Sequence, residues 1–242
     1  MGGVIIIIGI LSSTLLWADL NNIYVWTLIF VSLSLGILGL IDDILKIKLK
    51  NSSGLKSRYK FLGQILIGIA TLFILIKFSN HEFLFNLYFP FFKNFIWQMG
   101  IFFIPFGLFV IIGASNAVNL TDGLDGLATV PVMLVALSFT LISYVVGNTI
   151  FSEYLKIQYI PDVGELSIFC GSVVGACLGF LWYNAPPAKI FMGDTGSLSL
   201  GGSLAAIAII VKHEIVLAII GGLFVLETVS VIIQVASFKL TG

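Results

Sequence analysis

The chain has 242 residues, of which 59% are hydrophobic and only 10% are charged, and its mean hydropathy is +1.12. About a quarter of the residues of a soluble domain are charged, so this composition excludes a soluble globular protein and indicates an integral membrane protein. The formal net charge is zero, so the positions of the charges along the chain are more informative than their balance.

Apolar stretches that approach the length of a membrane span follow one another along the whole chain. A spanning helix needs about 20 mostly apolar residues. The stretches cover residues 3–17, 23–41, 61–78, 99–115, 127–146, 166–183, 197–211 and 215–238. The first and the seventh are short for a span. We therefore predict an all-α polytopic membrane protein, a bundle of about eight transmembrane helices in a single domain over residues 1–242.

The basic residues predict the orientation of this bundle. Half of the twelve Lys and Arg residues lie in the loop after the second span, namely Lys46, Lys48, Lys50, Lys56, Arg58 and Lys60. Short loops rich in Lys and Arg stay in the cytoplasm, and alternation places residues 116–126 and 184–196 on the same side. The Asp residues of these three loops are Asp42, Asp43, Asp122, Asp125 and Asp194. Loops distant in sequence thus bring their carboxylates to one cytoplasmic surface.

The opposite side of the membrane receives the acidic residues that lie between the other pairs of spans, Asp19, Glu82, Glu153, Asp162 and Glu165. Segment 80–95 on that side is rich in Phe, and we predict a short hairpin at the membrane interface, where aromatic side chains commonly lie. His81 and His213 also belong to this side. Neither histidine is therefore expected to take part in chemistry at the cytoplasmic surface.

Residues 116–128 are the polar stretch on which the functional interpretation depends. Two Asn, one Thr and two Asp occur here between two apolar spans. Polar groups in such a place are costly and often functional, although a plain interhelical loop is the alternative. The two Asp-Gly pairs are turn signals, so we expect the chain to leave the helix here and to expose backbone N–H groups.

Two further groups of residues point to phosphate chemistry. Asp42 and Asp43 end the second span, where they could be a solvated helix end or could pair with Lys46. Asp194 is flanked by Gly193 and Gly196 at the predicted start of a helix. Such a turn offers N–H donors to a phosphate and a carboxylate to Mg²⁺. Together these groups are typical of metal-assisted phosphoryl transfer.

The motifs resemble a known family. They are Asp42-Asp43 with Lys46, and the segments 54–60, 116–128, 183–189 and 191–202. In this order they are similar to the polyprenyl-phosphate N-acetylhexosamine-1-phosphate transferases, over essentially the whole chain. Within that superfamily, Thr195 and residues 227–242 most resemble the peptidoglycan branch, the phospho-N-acetylmuramoyl-pentapeptide transferases. Family members extend further at both ends, so the chain resembles an internal piece, which we expect to have little or no activity by itself.

The resemblance implies a reaction and its participants. Undecaprenyl phosphate would attack the β-phosphate of UDP-MurNAc-pentapeptide, giving lipid I and UMP, with Mg²⁺ as the cofactor bound by Asp194. Asp42 would be the general base or the nucleophile of a two-step route, and Asp43 would orient the lipid phosphate or the metal. Lys46 and Lys60 would neutralise phosphate oxygens. The positions that match the nucleotide pocket of the family are Asn116, Asn119, Asp122, Asp125, Asn184, Phe191 and Gly193, with Phe191 stacking on uracil.

Two other functions remain open from the sequence. A transferase that passes GlcNAc-1-phosphate to the same lipid would share nearly all of these motifs. A transporter or channel should instead place carboxylates near the middle of the membrane. We expect the protein to lie in the bacterial inner membrane, in contact with membrane lipid and with no nucleic acid partner; a homodimer is left open.

Overall fold

The structure is a computed structural model, which describes residues 2–49, 54–79, 83–92 and 95–241. The described chain is predominantly helical. The helices are α1 (Gly3–Trp17), α2 (Ile23–Leu49), α3 (Ser57–Phe78), α4 (Phe103–Thr121), α5 (Thr129–Val146), α6 (Thr149–Leu155), α7 (Leu166–Asn184), α8 (Gly193–Ile210), α9 (Glu214–Ile220) and α10 (Gly222–Thr241). Short 3₁₀ turns at Gly100–Phe102 and Val163–Glu165 precede α4 and α7, and two strands, β1 (Asn86–Tyr88) and β2 (Ile96–Gln98), complete the described elements.

Seven of the described helices are long and apolar enough to cross a membrane, and α1 is a shorter apolar helix. The prediction of an all-α polytopic membrane protein is confirmed. The predicted last span, 215–238, is divided into α9 and α10, because the Gly221-Gly222 pair interrupts it. Glycine lowers helix stability by about 1 kcal/mol relative to alanine, so two in succession favour a break.

Helix α8 lies at the centre of the bundle, where it packs mainly against α2 and α4. Its mean hydropathy is the lowest of the seven long helices, yet nearly all its residues are buried. Small residues allow this close packing: a Cβ on Gly201 would lie 2.4 Å from the carbonyl oxygen of Ala114, and one on Gly39 of α2 would lie 2.2 Å from that of Asp194. Helix α8 also begins at Gly193, four residues before the predicted span, so its first turn contains Asp194.

The two ends of the bundle carry different groups. A hairpin is present where α3 leads to α4, with Asn86 paired to Gln98 and Tyr88 to Ile96, so its second strand lies just beyond the predicted segment 80–95. Part of the predicted segment, 80–82 with His81 and 93–94, lies outside the described residues. At the same end the backbone N–H of Asp19 donates to Glu165 Oε2 at 3.0 Å. The carboxylates of the three predicted cytoplasmic loops lie at the other end, around the start of α8.

Candidate active site at the start of helix α8

An open cavity of about 570 Å³ lies at this end of the bundle. It is bounded by the last turns of α2, the start of α3, the last turns of α4 and the first turn of α8. Six of the residues predicted from the sequence line it: Asp42, Lys46, Lys60, Asn116, Asn119 and Asp194. The fold therefore brings together predicted groups from four helices.

Asp194 is the residue on which most of these groups converge. Its Oδ2 lies 2.5 Å from Lys60 Nζ and 3.0 Å from Lys46 Nζ. Its Oδ1 accepts a hydrogen bond of 2.9 Å from Asn119 Nδ2, which also donates to Ser197 Oγ at 2.8 Å. Both oxygens of this carboxylate are thus held in fixed directions, and one of them points at the two ammonium groups.

Asp42 lines the cavity from helix α2 and is only 3% exposed. Its Oδ2 is 2.6 Å from Lys46 Nζ, and its Oδ1 accepts a 2.6 Å hydrogen bond from the backbone N–H of Leu55. The structure thus realises an ion pair between Lys46 and the Asp pair, which the sequence left as one alternative. Because Lys46 also contacts Asp194, this lysine connects the carboxylates of α2 and α8.

Asp43 has a different position, since it caps helix α8. Its Oδ1 accepts from the backbone N–H of Asp194 at 3.2 Å, and its Oδ2 accepts from Thr195 N at 3.1 Å and Thr195 Oγ1 at 2.7 Å. Capping by a carboxylate is favoured by the positive end of the helix dipole. The structure here differs from the expectation that these N–H groups are free to bind a phosphate, because Asp43 already accepts from them.

The three carboxylates near the start of α8 fit the requirements of a divalent cation. One oxygen each from Asp42, Asp43 and Asp194 lies within 4.8 Å of the others, and Mg²⁺ is bound by one or two carboxylates with water and phosphate oxygens. Among the described residues, three carboxylates face only two ammonium groups. Asp43 already accepts three hydrogen bonds. Asp194, through its Oδ2, and Asp42 are therefore the carboxylates best placed to hold a metal.

A second group of predicted residues joins the turn 122–128 to the segment 185–192. Asp122 Oδ2 accepts from the backbone N–H of Gly193 at 3.0 Å, and Asp125 Oδ2 accepts from that of Ala188 at 2.9 Å. Asn184 is buried, accepts from Thr129 Oγ1 at 2.7 Å and donates to the carbonyl of Ile190 at 3.0 Å. These contacts lie beside the cavity and hold the two segments together.

Gly193 and Phe191 complete the predicted set. Gly193 has a φ of +70°, and a Cβ at this position would lie 2.8 Å from Asp43 Oδ2, so both the backbone conformation and the cap require glycine. The Phe191 side chain is 53% exposed and is free of the cavity wall described above. Its predicted stacking on uracil stays a prediction.

Burial raises the pKa of Asp122 to about 7, and the carboxylates of Asp194 and Asp43 add to this effect. The hydrogen bond from Gly193 N acts in the opposite direction. Asp122 is therefore poised to change charge near neutral pH, beside the first turn of α8.

Sequence reasoning missed Gln64, which lies in α3, lines the cavity and is only 1% exposed. It exchanges hydrogen bonds with Asn116: Gln64 Nε2 donates to Asn116 Oδ1 at 3.2 Å, and Asn116 Nδ2 donates to Gln64 Oε1 at 3.0 Å. The available signal was a carboxamide in an apolar span, since polar groups in such segments are rare. Asn116 and Asn119 were expected near a turn, but both lie within α4, which continues to Thr121.

Comparison with known proteins agrees with this geometry. The model of glycosyl transferase family 4 matches residues 25–212, a range that contains every site residue discussed above. The chain belongs to this family. The match covers more than half of the chain and extends from α2, which carries the Asp pair, to the end of α8.

Individual relatives of the family cover the whole chain. It is 66% identical over 242 residues to the phospho-N-acetylmuramoyl-pentapeptide-transferase of Pelagibacter ubique. It is 55% identical over 243 residues to the enzyme of that name from Rhodopseudomonas palustris, and 53% identical over 247 residues to the one from Phenylobacterium zucineum. In each case the match covers 100% of this chain and 67% of the relative. The resemblance stated from the motifs, including its peptidoglycan branch, is confirmed.

Proposed function

We propose that the protein transfers phospho-MurNAc-pentapeptide from UDP-MurNAc-pentapeptide to undecaprenyl phosphate, as one integral-membrane transferase domain. An oxygen of the lipid phosphate forms a bond to the β-phosphorus of the nucleotide. The bond from this phosphorus to the bridging oxygen breaks, and UMP leaves with that oxygen and both bonding electrons. The products are lipid I and UMP.

One observation supports this proposal most strongly. Asp42 and Asp194 face one cavity from two different helices, and Lys46 and Lys60 contact the same oxygen of Asp194. Phosphoryl transfer needs mainly positioning and compensation of negative charge, and this arrangement provides cations and cation-binding carboxylates at one point. The family membership and the names of the relatives agree with the chemistry.

The charged residues near the start of α8 have distinct roles in this scheme. Lys46 and Lys60 bind phosphate oxygens once the substrates enter, because an ammonium group can move between several acceptors. Asp42 takes the proton of a lipid phosphate that arrives as the monoanion, or attacks the β-phosphorus itself in a two-step route. Asp43 keeps the first turn of α8 in place, so that Asp194 stays directed into the cavity.

The proposed cofactor is Mg²⁺, which Asp194, together with Asp42, would hold. When bound, it would neutralise the charge that develops on the leaving UMP. Asp194 can serve this purpose because Asn119 fixes one of its oxygens and leaves the other directed toward Lys46 and Lys60.

The nucleotide is proposed to lie between the cavity and the joined segments 122–128 and 185–192. Asp122 and Asp125 each use only one oxygen in the hydrogen bonds described above, so the other oxygen remains for ribose or uracil groups. Exposed Phe191 would supply the stacking surface, and Asn184 would hold the segment that carries it. The basic residues at the same end support the proposal that this site faces the cytoplasm, in the bacterial inner membrane.

The direct test is the reaction itself, measured in detergent or in lipid vesicles on residues 1–242 and, beside them, on a protein of the relatives' full length. UDP-MurNAc-pentapeptide and undecaprenyl phosphate are supplied with Mg²⁺, and lipid I and UMP are measured. A parallel reaction with UDP-GlcNAc tests the other sugar donor. The proposal requires equal amounts of lipid I and UMP from the first donor and no lipid product from the second. Preferential use of UDP-GlcNAc would contradict it.

A further inference from the structure

The pair Gln64–Asn116 joins α3 to α4 by two side-chain hydrogen bonds. Asn116 Nδ2 donates both to Gln64 Oε1 and to the carbonyl of Ile112, the latter at 2.8 Å. A carboxamide nitrogen has two hydrogens, so both donors of Asn116 are engaged within the protein. Although Asn116 matches a nucleotide-binding position, its amide is therefore occupied in holding two helices together.

This pair lies one helical turn from the contacts to Asp194. On α3, Lys60 precedes Gln64 by four residues, and on α4, Asn119 follows Asn116 by three, so the members of each pair share a helix face. Lys60 and Asn119 are the groups that contact opposite oxygens of Asp194, Lys60 at Oδ2 and Asn119 at Oδ1. Helices α3 and α4 are thus connected by two sets of contacts one helical turn apart: the Gln64–Asn116 pair, and the contacts of Lys60 and Asn119 with Asp194.

We propose that Gln64 is a positioning residue for the transfer reaction. Its reciprocal hydrogen bonds with Asn116 fix α3 against α4 in the register at which Lys60 and Asn119 hold the two oxygens of Asp194. This inference rests on the proposed function. A change at Gln64 should act through Asp194, so it should alter metal binding and turnover more than the binding of the UDP donor.

The alternative role for such a pair is packing alone, since carboxamide side chains commonly join membrane helices. A packing role predicts lower stability with unchanged metal affinity. The structure offers a matched case in the buried pair of Thr14 on α1 and Ser172 on α7, whose hydroxyl oxygens are 3.2 Å apart. This pair lies toward the other end of the bundle, and Ser172→Ala should leave metal affinity and turnover as they are.

The test uses three variants of the complete protein: Gln64→Asn, Asn116→Gln and the double exchange, which restores the combined length of the two side chains. Mn²⁺ affinity is measured by electron paramagnetic resonance without substrates, and kcat and KM are measured for lipid I formation. Outer partners of metal ligands typically change affinity or activity by about 10-fold to 100-fold. We expect losses of this size in Mn²⁺ affinity and in kcat for each single variant, with little change in KM for the UDP donor.

The double exchange is expected to recover both quantities to within about threefold of the unsubstituted protein, as coupled neighbours do. Gln64→Leu, whose apolar side chain suits a membrane span, removes both hydrogen bonds and provides a second variant that should insert and fold. Unchanged Mn²⁺ affinity in the single variants and in Gln64→Leu, or losses that the double exchange does not recover, would overturn the inference. If the unsubstituted protein binds Mn²⁺ but forms no lipid I, the proposed function fails, and the Mn²⁺ titration still decides the role of Gln64.

Discussion

The two ends of the bundle each place lysine against carboxylate, but in opposite surroundings. At the start of α8, Lys46 and Lys60 face three carboxylates and an open cavity. At its other end, Lys212 and Glu214 form a pair of 2.6 Å, and both residues are at most 4% exposed. Lys212 Nζ also donates to the carbonyl of Leu84 at 3.0 Å and lies 4.9 Å from the ring centroid of Phe103.

The difference separates a structural ion pair from a functional one. Lys212 is matched by one carboxylate, and its contacts tie the hairpin segment to the turn between α8 and α9. The cavity at the start of α8 has more carboxylates than ammonium groups among the described residues, and space for water and ligands. A matched and buried pair contributes to the fold, whereas a set with unmatched carboxylates beside a cavity has the capacity to bind a cation and phosphate groups.

The largest effect is expected from Asp194→Asn, which removes the charge on which the cavity converges while preserving the shape of the side chain. Transfer of phospho-MurNAc-pentapeptide should fall by about 1,000-fold or more, equivalent to roughly 4 kcal/mol of barrier. The measurement is the rate of lipid I formation over a range of Mg²⁺ concentrations. Asp162→Asn is the control, because Asp162 lies at the opposite end with a φ of 63°, which asparagine tolerates. Near-normal turnover of Asp194→Asn at low Mg²⁺ would contradict the assignment.

At the end of the bundle that contains Lys212 and Glu214, substitutions should lower the stability of the fold. Lys212→Met leaves Glu214 buried without its partner, and breaking a buried pair in this way costs about 3–5 kcal/mol. Thermal unfolding in detergent should therefore occur at a clearly lower temperature, while the Mg²⁺ dependence of the remaining activity stays unchanged. The double variant with Glu214→Gln removes the unpaired charge and should recover most of the loss. A stability of Lys212→Met equal to that of the unsubstituted protein would show that the pair is not structural.

Lys60→Met is the counterpart at the open end. It removes an ammonium group that contacts Asp194, and loss of one preorganised charge contact lowers turnover by about 100-fold. The stability of the protein should change little, because Lys46 still contacts the same oxygen of Asp194 after Lys60 is replaced. Activity and thermal unfolding measured on the same preparations test this contrast with Lys212→Met. A large loss of stability with normal turnover would reverse the comparison.

The smallest effect concerns Asp122, whose pKa is raised by burial to about 7. Because the folded-state pKa exceeds the unfolded value of 3.8, its contribution to stability is complete below pH 3.8 and is lost as the pH rises through about 7. Asp122→Asn should remove this dependence, on the order of 1 kcal/mol after solvent screening. The measurement is the difference in unfolding temperature between pH 5 and pH 8 in both proteins. An equal difference in both would contradict the assignment.

The sequence was sufficient for the fold class and for the convergence of the acidic loops. The apolar stretches and the Lys-rich loop are features of local composition, so a hydropathy analysis of the sequence identifies them directly. The ends of the helices were less predictable. Helix α2 continues beyond the apolar stretch to Leu49, through a segment that contains charged residues. Helix α8 begins at Gly193, where Asp43 caps its first turn. Such a cap joins residues distant in sequence and leaves no local pattern.

The sequence predicted which residues form the site more completely than it predicted the role of each residue. The motifs identified Asp42, Asp43 and Asp194, but sequence spacing could not separate a carboxylate that faces the cavity from one that caps a helix. It also gave no means of finding Gln64, whose importance depends on which residue of α4 lies opposite. These distinctions depend on tertiary register, which the local pattern of one chain does not encode.

The most direct test of the difference between the two ends is a count of Mn²⁺ ions bound to the purified protein, by electron paramagnetic resonance with and without competing Mg²⁺. We predict one ion that Mg²⁺ displaces, retained in Asp162→Asn and in the Lys212→Met/Glu214→Gln double variant, and lost in Asp194→Asn. Equal binding by Asp194→Asn and by the unsubstituted protein would contradict the placement of the metal at the start of α8.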